Sequence, residues 1–130
     1  MVGEGDILIY RTGRNERRKI LGGHCERLSD GRGHLPGLYP DSLLWLHDRR
    51  VAMVASDCAH DALPAPFVQE RIPIHVGTEV YMGLPLLHNL DLDKLACECN
   101  RRGVAEFFFS IAPLLISGGT ASPVNPIAIF

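Results

Sequence analysis

Apolar residues along the chain fall into short blocks set apart by turn formers and charges. Ile7-Leu8-Ile9-Tyr10 follows Gly5-Asp6 and ends at Arg11-Thr12-Gly13, which predicts a buried strand close to the first residue. Residues 15–32 are rich in Arg, Lys, Gly, Ser and Asp without clear periodicity, and predict a mainly exposed loop with room for a short helical turn. Pro40-Asp41-Ser42 then opens a helix whose Leu43, Leu44, Trp45 and Leu46 give a broad apolar surface, ending near Arg49-Arg50. Val51 to Ala55 reads as a second buried strand, with Ser56-Asp57 at its carboxyl end. Residues 58–71 carry Leu63-Pro64-Ala65-Pro66 and predict a long loop, the kind of segment on which functional residues often sit.

Further along, Pro73 starts a helix that runs through Tyr81 to a turn at Gly83, and residues 84–90 predict a short strand entering a loop. A helix follows from Asp91 to about Arg102, closed by Gly103. Residues 106–114 are the strongest strand signal, residues 117–123 form a tight loop, and residues 124–130 predict a final strand. The order is mixed α/β, with no repeat or internal linker, and reads as one domain over residues 1–130.

Composition narrows the function classes. With 46% hydrophobic and 22% charged residues, the 130-residue chain can bury an ordinary core without a staple. Thirteen Lys and Arg against fifteen Asp and Glu leave a net charge of -2, which argues against nucleic-acid binding through bulk positive charge. The mostly apolar stretch 107–116 is interrupted by Ser110 and Pro113 and is too short to cross a bilayer. The first six residues lack a basic start and apolar core, so a cytoplasmic location is expected. Cys25, Cys58, Cys97 and Cys99 form no CxxC pair and read as reduced thiols. Arg17, Arg18 and Lys19 read as a solvated basic cluster, since no Gly-rich phosphate cradle adjoins them.

Six histidines are present, at 24, 34, 47, 60, 75 and 88, without an HExxH or other compact zinc signature. His75 and His88 each stand at an element boundary where an imidazole can face a cleft, bind a divalent metal or polarise a carbonyl. Ordinary hydrogen-bonded or surface histidines are the alternative. Asp57 and Asp61 flank His60, a local cluster suited to metal binding or proton transfer, although a strand-terminal Asp57 that caps a neighbouring loop is the simpler reading. Ser122 lacks a nucleophile elbow and reads as a turn residue.

Several segments in a fixed order carry a resemblance that periodicity cannot supply. These are residues 5–13, Pro36-Gly37-Leu38, Val54-Ala55-Ser56-Asp57, His75, Leu87-His88-Asn89-Leu90-Asp91-Leu92, and Ala112-Pro113-Leu114 through residues 118–128. Together they resemble the second half of the cyclase family that includes bacterial-type kynurenine formamidases and isatin hydrolases. The resemblance implies a mixed, curved β-sheet packed by helices, a swivelling β/β/α fold in N-terminally truncated form. It implies a zinc- or manganese-dependent hydrolase acting on a formamide or cyclic amide C–N bond, with a place in tryptophan catabolism. His75 matches the family's second-half histidine, and His88 falls where relatives carry the Glu of an E-N-L segment or a Gln; both are candidate metal ligands. The front motif H-x-G-T-H-x-D is absent: His75-Val76-Gly77-Thr78-Glu79 begins like it but carries Glu79 at its second histidine. Two ligands do not complete a catalytic zinc site, which needs three. Two expectations follow: a hydrolase completed by another segment or chain, or a non-catalytic half-domain that self-associates or pairs with a partner. No catalytic residue is assigned from the resemblance.

Overall fold

A computed structural model describes residues 1–24, 26, 27 and 33–130. The chain is mixed α/β and divides into two compact units, Met1–Asp93 and Lys94–Phe130.

The first unit is built on a three-stranded parallel sheet in the order β1-β4-β5. Strand β1 is Ile7–Tyr10, β4 is Met53–Ser56 and β5 is Leu86–Leu87. Ile7 pairs with Met53 and Tyr10 with Ser56, while Val54 and Ala55 pair with Leu86 and Leu87. All three strands run the same way, so their carboxyl ends open at one edge of the sheet. Open α/β sheets use that edge for ligands. Beneath it, Leu46, Val51, Val54 and Leu84 form the buried core, with Leu8, Leu38 and Met82 packed against them.

Helix α1, Arg14–Ile20, replaces part of the loop expected at 15–32. Its residues are good helix formers, but none is buried, so it has no apolar stripe to reveal it. Much of the rest of that expected loop, residues 25 and 28–32, lies outside the described residues, and Cys25 with it. Glu26–Arg27 (β2) pairs antiparallel with Gly33–His34 (β3). Helix α2, Ser42–Arg49, starts and stops as its pattern predicts. Within this unit only Leu46 of that helix is buried, whereas Leu44 is 74% exposed. The apolar surface read from Leu43 to Leu46 is therefore narrower than expected.

Residues 57–72 form the expected long loop, held to the 35–38 segment by bridges from Leu35 to Leu63 and from Leu38 to Asp61. Gly37 makes this close approach possible, because a Cβ there would lie 2.4 Å from the backbone of His60, Asp61 and Ala62. Pro73 then opens α3, Pro73–His75, which continues as a π-helix over Val76–Met82. Gly83, at φ 64, closes it in the left-handed conformation that glycine adopts without strain.

The second unit holds nearly all of α4, Asp93–Arg102, and an antiparallel pair, β6 Phe108–Ser110 with β7 Ile127–Ile129. Gly103, at φ 68, ends the helix as predicted. Both strands are shorter than their apolar runs, and Pro126, next to the Ser110–Ile127 pair, cannot extend the ladder at that end. No residue of 94–130 is buried, and Phe108, Leu115, Ile127 and Ile129 are exposed. Ser122 is the turn residue expected: its hydroxyl accepts from the Leu114 amide and donates to the Pro123 carbonyl. Among the described residues, no helix is long and apolar enough to cross a membrane.

Candidate functional site

The parallel topology gathers chemistry at the carboxyl edge of the β1-β4-β5 sheet. Tyr10 ends β1, the Asp57–Asp61 segment leaves β4, and His88 follows β5. Beyond the strands, the Asn89 amide donates to the Cys58 carbonyl at 3.1 Å and the Leu90 amide to the Ser56 carbonyl at 3.0 Å. These bonds keep the two segments adjacent past the last ladder pair. Three imidazoles meet there. The His88 ring lies 4.9 Å from both His60 and His75, and His60 lies 6.4 Å from His75.

Asp57, His60 and Asp61 do not act as one cluster, because each side chain goes elsewhere. Asp57 turns to the start of α1. Its carboxylate accepts from the Thr12 amide and hydroxyl at 2.8 and 2.7 Å and from the Gly13 and Arg14 amides at 2.9 and 3.0 Å. This is the capping role that its position at a strand end suggested, supplied to a helix whose own cap residue, Gly13, has no side-chain oxygen to offer. Burial alone would raise the Asp57 pKa; the hydrogen bonds from Thr12, Arg14 and Gly13 outweigh it and hold the carboxylate below its usual range.

His60 is fully buried and closed to ligands. Its Nε2 lies 3.1 Å from the Leu87 carbonyl, which can only accept, so Nε2 carries the proton. Nδ1 then accepts from the Tyr10 hydroxyl at 3.0 Å. Burial pushes His60 down to about 4; the Leu87 carbonyl opposes this, and the neighbouring His88 and His75 add to it. Both ring nitrogens are occupied and the ring is neutral, so His60 forms a wall of the site. Burial likewise raises Tyr10, and its contact with Cys58 adds to the effect, which keeps the phenol protonated as the donor.

Asp61 pairs with His75, fourteen positions on. The Asp61 carboxylate, 6% exposed, meets His75 Nδ1 and also accepts from the Ile74 amide at 2.7 Å and the His75 amide at 3.4 Å. It thereby caps the first turn of α3 and holds the His75 ring at once. The His75 side chain is 22% exposed, open enough to reach a ligand. His88 is half-buried; burial lowers its pKa, and the repulsion that a protonated His88 would meet from a protonated His75 ring lowers it further. The structure thus brings His75 and His88 together. The Asp61–His75 pair and the closed state of His60 were not anticipated, since no spacing rule links residues so far apart in irregular chain.

Imidazole nitrogen suits zinc and other borderline divalent metals, so His75 and His88 fit a metal in donor type. Among the described residues, however, no group of three or more His, Cys, Asp or Glu side chains is arranged to hold an ion.

The parallel sheet, the carboxyl-edge site and the crossing helices define a cyclase-like α/β fold. A solved structure described as a novel cyclase is similar to this chain at a TM-score of 0.79 and 30% sequence identity, covering 100% of this chain and 42% of that one. The chain thus spans less than half the length of that cyclase. No protein-family profile matches the chain, and no curated protein matches it.

Proposed function

We propose that the chain is one part of a metal-dependent hydrolase acting on the C–N bond of a formamide or cyclic amide, of the kynurenine formamidase and isatin hydrolase type. The observation that carries this reading is the convergence of His75 and His88, 4.9 Å apart at the carboxyl edge of a cyclase-like sheet. His75 and His88 would hold zinc or manganese together with ligands from another segment or a partner chain. When bound, the metal would supply Lewis-acid activation of water for attack on the amide carbon. The chain's own residues do the rest: Asp61 holds the His75 ring, and His60 with Tyr10 walls the site with a neutral, fully bonded imidazole.

A second reading is a non-catalytic half-domain that self-associates or pairs with a partner. It is supported by the incomplete ligand set and by the exposed apolar residues of the β6-β7 unit. Metal titration and turnover separate the two. Turnover of N-formylkynurenine or isatin that a chelator abolishes and zinc or manganese restores supports the hydrolase. A chain that binds neither metal and turns over neither compound, alone or with its partner, sinks it.

A further inference from the structure

We infer that Asp61 is a positioning residue that fixes the tautomer of His75, holding the ring proton on Nδ1 and leaving Nε2 as its one lone pair. A carboxylate can only accept, so the nitrogen facing Asp61 Oδ2 must carry a proton. The carboxylate cannot turn away. Oδ1 is taken by the Ile74 amide at 2.7 Å, the His75 amide approaches Oδ2 at 3.4 Å, and the group is almost wholly buried. Asp61 is itself anchored, because its segment is pinned by the Leu38 amide on the His60 carbonyl at 2.6 Å and by the close approach of Gly37.

The neighbouring imidazole shows the opposite arrangement. In His60 the proton sits on Nε2 and is spent on the Leu87 carbonyl, with Nδ1 spent on Tyr10. His75 therefore differs from His60 in having its proton committed to a buried anion and its second nitrogen left with a lone pair. A carboxylate behind an imidazole both orients the ring and strengthens its far nitrogen as a ligand. The use made of that lone pair rests on the hydrolase reading; the tautomer itself does not.

Long-range proton–nitrogen NMR of the chain at about pH 9, above the ordinary imidazole range, reads the tautomer directly. His75 is expected with the proton on Nδ1 and His60 with it on Nε2; a His75 proton on Nε2 overturns the inference. Asp61→Asn supplies the second arm. Its remaining oxygen keeps the Ile74 amide bond, while its NH2 faces Nδ1 and drives the His75 proton to Nε2. Zinc affinity, followed on the His75 and His88 resonances, should then fall about 10- to 100-fold with the melting transition retained. Unchanged zinc affinity in a folded Asp61→Asn overturns the inference. If Asp61→Asn does not fold, the wild-type tautomer decides. A wild-type chain that binds no zinc but shows the Nδ1 proton sinks the hydrolase reading and leaves the positioning role standing.

Discussion

Replacing Asp57 should damage the fold, because this one buried side chain satisfies the start of a helix from the neighbouring strand. The carboxylate accepts from three successive backbone amides, Thr12, Gly13 and Arg14, and from the Thr12 hydroxyl, all between 2.7 and 3.0 Å. Hydrogen bonds to a charged acceptor contribute about 1.5–3 kcal/mol each, and a buried donor left unmade costs about 1–3 kcal/mol. These terms overlap, and water can reach some of the freed amides, so Asp57→Ala is expected to cost about 3–5 kcal/mol. That is a large share of a typical domain's 5–15 kcal/mol. Asp57→Asn should cost about 2–3 kcal/mol, since one oxygen survives while the NH2 confronts amide donors. Urea unfolding at neutral pH measures both, and hydrogen exchange at Gly13 and Arg14 should show α1 opening before β1 and β4. The pH dependence is a second check. The folded carboxylate titrates below its unfolded value of about 3.9, so the stability it gives is present above that value and is lost as pH falls through the folded pKa. The wild-type acid limb should therefore be steeper than that of either variant. A loss under about 1 kcal/mol in Asp57→Ala, or identical acid limbs, would refute the capping argument.

Two further predictions concern the frame of the site. Gly37→Ala should destabilise by about 3 kcal/mol, because its Cβ would meet only backbone at 2.4 Å, whereas Gly77→Ala should cost less, since it meets the Leu43 side chain, which can move. Denaturant midpoints give the order, and an equal loss at the two sites would contradict it. His60 is held neutral, with a folded pKa near 4 against about 6.5 unfolded, so its contribution is complete above about pH 6.5 and drains away as pH falls toward 4, by at most about 3 kcal/mol. His60→Gln should flatten stability across that window, and an unchanged slope between pH 6.5 and 4 would count against the buried neutral ring.

The elements legible in the sequence are those whose local pattern also meets the core. Ile7–Tyr10, Met53–Ser56 and Ser42–Arg49 lie close to where apolar runs and turn formers put them. The helix from Pro73 to Gly83 is marked by proline at its start and glycine at its end, though its π-helical turn carries no local mark. His75 and His88 are legible as candidates because each sits at an element boundary, at the end of α3 and just after β5.

Tertiary structure decided the rest. Helix α1 has no buried residue and takes its cap from Asp57, 43 positions away, so nothing within its own seven residues announces it. The three residues Asp57, His60 and Asp61 look like one cluster in the chain, yet they serve a helix start, a closed wall and the His75 ring. Periodicity reports which way a residue faces within its own element. It carries no record of which buried donor will lie opposite a carboxylate once parallel strands bring distant segments to one edge, and that pairing sets the chemistry of this site.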